Sequence, residues 1–384
     1  MLPTALSQLV EQVVKLGVGL FFAHALLPSP VKAAAGATLG VSVSEGAAAL
    51  FLFFFYRKRC GKLPKLSLSS QTPYLQTLLK SLLPVVFIGI LPPLSGVISG
   101  FYTIPLLSRR AANATAQYGA YFGGVTSVVG VPVALCYGIA VAALPVLAKN
   151  KSTPPLSKTG QNTSNPLWGN TQSVTAPPVP KGEESLLSSY RLTLFIALPA
   201  CAFLAFFALP VSRLLFFQLS LQEVALSAKL LRLSAFQIPF LSIVQTGNAV
   251  LISQGKARRS AFALGISCLV EVFLSFFLLL QGIGIFSLPI SAIVGYFVAT
   301  FFNLVYSMKG KTTGKARKRF ALQTAAQAFA AFFSAAVGKA ASAVLKSPLL
   351  YLLLGFSVTA GVYLLLHAAV FFCKKPLLRK LQKG

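Results

Sequence analysis

Glu11 and Lys15 stand four residues apart in the first apolar stretch of the sequence, with the carboxylate on the N-terminal side. That order and spacing put them on one face of a helix as a favourable pair. A charge at mid-bilayer depth costs about 2.5–3.5 kcal/mol on insertion scales, so a retained pair, with Gln12 beside it, is expected to face protein or a wet cavity. Two roles fit it equally: contact with a substrate or ion, or a self-neutralised lock between helices. Glu45 in the second apolar stretch and Glu271 in the seventh have no basic residue within one turn. A lone carboxylate in a low-dielectric setting can carry a proton. For Glu45 this favours proton or cation coupling over hydrogen-bonded packing. Glu271, set in SCLVEVFLSFFLLL, reads as apolar on every face and therefore as packing. Gln237, Gln245 and Asn248 bring three amides to one helix, to line a cavity or to join helices by hydrogen bonds.

Other chemistry is short of material. The sequence has no Asp, and its six carboxylates are Glu11, Glu45, Glu183, Glu184, Glu223 and Glu271. His24 and His367 lie near opposite ends, so neither a His-rich metal site nor a His-centred triad can be assembled locally. Cys60, Cys136, Cys201, Cys268 and Cys373 are scattered, odd in number and without CxxC spacing, and read as reduced packing residues. No metal, no cofactor and no enzyme activity is expected.

The elements that must position these residues follow from composition. Of 384 residues 55% are hydrophobic and 10% charged, with 32 Phe, and the mean hydropathy is +0.76. Such a chain is expected to be all-α and polytopic in a membrane. Apolar segments fall at 4–27, 34–56, 82–107, 118–147, 192–217, 230–253, 260–281, 285–308, 320–345 and 348–373. They lack barrel alternation, so about ten transmembrane helices are predicted, with both termini on one side. Of the 34 Lys and Arg, 25 fall on the side of the termini, eight on the other, and Lys15 lies inside a helix. The positive-inside rule makes the richer side cytoplasmic. The net charge of +28 is thus an orientation signal, and nucleic acid is not an expected partner.

The Ser/Thr/Pro/Asn-rich stretch 149–190 is expected to be a disordered cytoplasmic loop, which leaves its sequon Asn162-Thr163-Ser164 without weight. Met1 is followed at once by the apolar run, without the basic start of a secretory signal. Prolines at 84, 92, 93, 105, 132, 145, 199 and 239 suggest broken helices. The pairs Gly36/Gly40, Gly96/Gly100 and Gly119/Gly123 suggest close helix approach.

The text MLPTALSQLVEQVVKLGVGL followed by AAAGATLGVSVSEGAAALFLFFFYRKR resembles the fifth and sixth helices of the stage V sporulation protein B family, of the multidrug/oligosaccharidyl-lipid/polysaccharide exporter superfamily. Gln117-Tyr118-Gly119, leading through VPVALCYGIAVAALP, resembles its eighth helix, and Ile252-Ser253-Gln254-Gly255-Lys256 resembles the turn after its tenth. The resemblance runs through essentially the whole chain. It implies a MATE-like bundle of two six-helix lobes plus two C-terminal helices, working by alternating access as a flippase of undecaprenyl-linked cell-wall precursors for the spore cortex. It places Tyr118 on a cavity-lining helix. On that map residues 1–60 are the last two helices of an incomplete first lobe, which lacks four helices. Residues 61–79 are then a cytoplasmic linker, 80–310 the complete second lobe, and 311–384 two further helices with a basic tail. The implied partners are a lipid-linked oligosaccharide, membrane lipids and a second chain that supplies the missing helices; the implied location is the plasma membrane.

The sequence departs from the related lipid II flippases. Their cavity arginines lie on the first two helices and the eighth, and residues 111–148 here contain no Lys or Arg. Lys15 is left as the cation inside a span. A cation-coupled multidrug antiporter of the same superfamily, relying on Glu11, Glu45 or Glu271, and an inactive truncated product stand as alternatives. A membrane glycosyltransferase is disfavoured because the outer connections are short and nearly free of carboxylates.

Overall fold

The computed structural model describes residues 2–60, 72–149, 182–309, 312–345 and 347–381. Among them the secondary structure is helical, without strands: α1 (Leu2–Ala25), α2 (Pro30–Cys60), α3 (Thr72–Ser108), α4 (Ala114–Gly119), a π-helical turn (Ala120–Val125), α5 (Thr126–Lys149), α6 (Gly182–Phe206), α7 (Ala208–Leu215), α8 (Leu221–Ser234), α9 (Gln237–Ser253), α10 (Ala257–Leu280), α11 (Ser287–Met308), α12 (Gly314–Ser342) and α13 (Pro348–Leu381). Among the described residues nine helices are long and apolar enough to cross a membrane, and ten if α8 and α9, bent by 49° at their junction, count as one span. Side chains such as Phe101 at 78% and Phe273 at 70% exposure would be untenable in water over so many helices. The chain is a multi-pass, all-α membrane protein.

It divides into two compact units, Met1–Gln76 and Thr77–Gly384. In the first, α1 and α2 pack as a hairpin. Their seam is Gly36 and Gly40: a Cβ at Gly40 would lie 2.6 Å from the backbone nitrogen of Gly19, and one at Gly36 would lie 3.0 Å from Cβ of Phe22. The absence of side chains is what lets the two backbones approach.

In the second unit Tyr190, Leu194, Leu230, Leu231, Ile238 and Phe207 are fully buried. Without an aqueous phase to drive packing, polar contacts between helices add to it. Thr193 and Thr246 share a hydroxyl bond of 2.7 Å, Tyr190 donates to Ser307 at 3.0 Å, and Thr300 donates to the Phe240 carbonyl at 3.0 Å.

Of the prolines expected to break helices, Pro239 alone stands beside a break. α3 runs unbroken through Pro84, Pro92, Pro93 and Pro105, and α6 through Pro199; Pro132 and Pro145 lie within the continuous α5. In hydrocarbon, leaving the helix would strand further backbone groups, so the helix persists around each missing N–H. The breaks that occur, at Phe207 between α6 and α7 and at Ala235–Phe236 between α8 and α9, each precede a proline at the third position of the next helix, Pro210 and Pro239. There the lost N–H has no intrahelical partner to lose, while the ring excludes the carbonyl four residues back.

Two expected connections are shorter than their sequences suggested. α6 begins at Gly182, inside the stretch 149–190; residues 150–181 lie outside the described residues. α3 begins at Thr72, inside the expected linker 61–79, with Pro73 in its first turn; residues 61–71 lie outside the described residues, as do 382–384 of the basic tail.

Candidate functional site

A cavity of about 260 Å³ opens inside the second unit, lined by Pro92, Pro93, Ser95 and Ser99 of α3, Tyr118, Tyr121 and Phe122 at the π turn, Gln237 of α9, Glu271 of α10 and Tyr296 of α11. Among the described residues its polar groups are one carboxylate, one amide, three phenols and hydroxyls, with no Lys or Arg in the lining. This cavity is therefore not a cationic one for a diphosphate.

Each side chain is placed by a local feature. Tyr118 and Phe122, one turn apart, stack their rings at 5.6 Å. They fit because Gly96 and Gly100 leave room: a Cβ at Gly96 would come within 2.6 Å of the Phe122 ring, and one at Gly100 within 3.0 Å of the Tyr118 hydroxyl. That hydroxyl donates to the Gly96 carbonyl at 3.2 Å. Gly119 and Gly123 have open space at their Cβ positions, so that pair is no packing seam.

The π turn leaves backbone carbonyls without their usual donors, and two hydroxyls answer them. Ser127 donates to the Gly123 carbonyl at 2.6 Å and Thr126 to the Phe122 carbonyl. Such turns occur often at functional sites.

Glu271 corrects the sequence reading most sharply. Its segment is not apolar on every face: Ser260, Ser267 and Ser275 are fully buried on α10, and Ser267, Glu271 and Ser275 recur every four residues. Gly295 on α11 admits this polar stripe, since a Cβ there would lie 3.2 Å from Cβ of Glu271 and 3.0 Å from the Ser267 carbonyl. Tyr102 of α3 bonds to Ser275 and donates to the Val272 carbonyl at 3.1 Å. A four-residue period of polar groups was the available signal; the surrounding phenylalanines masked it. Tyr121 and Tyr296 carried no sequence signal.

The other expected residues divide. Gln237 is buried and lines the cavity. Asn248, also buried, joins helices instead: its Oδ1 accepts from Ser260 at 2.6 Å and from Asn303 Nδ2 at 2.9 Å, tying α9 to α10 and α11. Gln245 is half-buried on the same helix and is not in the cavity lining. In the first unit Lys15 donates to Glu11 at 2.9 Å, and both are part-buried. Gln12 and Glu45 are exposed there.

A second, larger cavity of about 560 Å³ lies on the opposite face of the π turn, lined by Asn113, Gln117, Gly119, Ala120, Gly124, Phe216, Gln218 and Glu223 among others. Glu223 is engaged there as a helix cap, accepting from the backbone N–H of Ser220 at 3.0 Å. No group of three or more His, Cys, Asp or Glu able to hold a metal occurs among the described residues.

Residues 181–277 match the MatE family, a stretch that includes Gln237 and Glu271. No curated protein matches the sequence. Among solved structures, the fold is similar to that of the lipid II flippase MurJ in an inward closed conformation, with 14% identity, a TM-score of 0.63, and coverage of 97% of this chain and 68% of that one. A MOP superfamily transporter from Pyrococcus furiosus matches at 13% identity and a TM-score of 0.43, over 73% of this chain and 62% of that one. The chain thus carries a MatE segment within a multi-pass helical fold like that of a lipid II flippase.

Proposed function

We propose that the chain is a membrane transporter, not an enzyme, that flips undecaprenyl-linked saccharides, the precursors of peptidoglycan, by alternating access. On this proposal it lies in the plasma membrane with both termini in the cytoplasm and serves cell-wall or spore-cortex synthesis. The observation that carries it is the polar cavity around Glu271, Gln237 and Tyr118, buried in an otherwise apolar lobe. A transporter needs such a site within its helices, and the likeness of fold to a lipid II flippase and the MatE match support that class. Glu271, the only Asp or Glu in the lining among the described residues and with no described cation in that lining, is the group in this lobe that takes a proton or metal cation to drive the cycle.

The test is reconstitution in vesicles with a fluorescent lipid-linked saccharide, scoring protection of the label from an external quencher. The wild-type chain is expected to move the lipid, and Ala292→Phe, which fills the cavity wall, to stop it. Vesicles in which the correctly folded chain leaves the label on its starting leaflet would defeat the proposal. The lack of Lys and Arg in the cavity favours one second reading, a cation-coupled antiporter of organic cations. Dye efflux abolished by Glu271→Gln, without lipid movement, would establish it instead.

A further inference from the structure

A pocket of about 330 Å³ lies where α10 begins and α11 ends, lined by Arg258, Arg259, Phe262, Tyr306 and Lys309. Three cations meet there without a carboxylate: the one ion pair among the described residues is Lys15 with Glu11. Like charges this close repel unless an anion joins them. The guanidinium of Arg259 is held over the Tyr306 ring, 5.8 Å from its centre, which fixes one wall of the pocket. Arg258 and Lys309 are exposed at its mouth.

The surroundings identify what kind of anion fits. The pocket belongs to the end of the bundle where the connection from Lys309 to Arg319 gathers six basic residues, the side on which most Lys and Arg of the sequence fall. That is the headgroup level of one leaflet. From the pocket an apolar outer surface descends along both helices: Phe262 and Leu269 on α10, Val305 and Phe301 on α11, all exposed. A free phosphate would use the cations and leave this track idle. A two-part molecule, anionic head above and acyl chains below, uses both.

We propose that this pocket binds the phosphodiester headgroup of an anionic phospholipid, such as phosphatidylglycerol or cardiolipin, from the Lys/Arg-rich leaflet, with its chains along the α10–α11 face. Arginine forks match phosphate oxygens, and Lys309 adds a point charge. The site is separate from the Glu271 cavity and does not depend on what the chain transports.

Native mass spectrometry of the purified full chain, given equal amounts of cardiolipin and phosphatidylcholine, tests this. Cardiolipin adducts are expected on the wild type, falling about fivefold for each of Arg258→Ala and Arg259→Ala, while phosphatidylcholine adducts stay unchanged. Arg259→Lys is expected to retain most of the binding, and an unshifted melting midpoint shows that the variants fold. If either alanine variant does not fold, Lys309→Gln at the pocket mouth gives the same readout. Cardiolipin adducts undiminished in the variants overturn the proposal. So does their complete displacement by inorganic phosphate, which would assign the pocket to a free anion.

Discussion

Replacing Asn248 with Ala tests whether the walls of the second unit are tied together as the hydrogen bonds indicate. The substitution removes one acceptor and orphans two donors, Ser260 Oγ at 2.6 Å and Asn303 Nδ2 at 2.9 Å. Asn303 keeps a longer bond to the Val244 carbonyl at 3.3 Å, so its loss is partial. Inter-helix hydrogen bonds in membranes average about 0.6 kcal/mol and buried ones in general reach about 1.5, so two of them amount to about 1–3 kcal/mol. At roughly 2–4 °C per kcal/mol for a large domain, the melting midpoint in detergent should fall by several degrees. The assay is thermal unfolding of Asn248→Ala, Asn303→Ala and the double variant. Because the two residues share a bond, the double variant should lose less than the sum of the singles, by about 0.5 kcal/mol or more. Strict additivity, or a midpoint for Asn248→Ala within error of wild type, would refute the idea that this amide joins the helices.

Other outcomes follow from the same contacts. Gly282→Ala should cost about 1–2 kcal/mol in thermal stability, because Gly282 has φ +90° and its missing side chain makes room for the Arg110 guanidinium, which donates to the Leu280 carbonyl at the end of α10. Gly40→Val should separate α1 from α2, read as loss of a cysteine cross-link engineered across their seam; an unchanged cross-link would disprove the close approach. Glu271→Gln should abolish cation-driven transport in vesicles while the protein melts normally, whereas Glu45→Gln, exposed in the first unit, should leave transport within about twofold. Tyr118→Phe should lower stability by about 1 kcal/mol or less, since it removes a single 3.2 Å bond to the Gly96 carbonyl.

The spans were legible in the sequence because hydrocarbon thickness and the lack of water leave one solution for a long apolar run. Proline misled because its effect depends on helical position: Pro92 and Pro93 sit mid-helix and are carried through, while Pro239 sits three residues into α9 and marks a bend. Among site residues, Gln237 was legible as a polar group in an apolar helix, yet the same argument selected Asn248, whose partners lie on two other helices and could not be read from local spacing. Glu271 was read as packing because hydropathy averages all faces of a helix, whereas the Ser267–Glu271–Ser275 stripe occupies one of them. Gly96 and Gly100 were legible as small residues, but not the Tyr118 and Phe122 rings they admit.

The π turn at Ala120–Val125 holds one residue more than an α-helix would need over the same length. That surplus is not tied to one place: as it passes along the helix, each residue it crosses turns by about 100°, while the stretches on either side keep their places. Gly119, Ala120 and Gly124 face the larger cavity and Tyr118, Tyr121 and Thr126 the smaller, so passage of the surplus through this stretch would exchange, residue by residue, which of them line each cavity. Neighbouring helices would not need to move far, and most of the backbone bonds of α5 would stay closed. The hydroxyls of Thr126 and Ser127, bonded to carbonyls of the turn, are the pawls that such a passage would have to release.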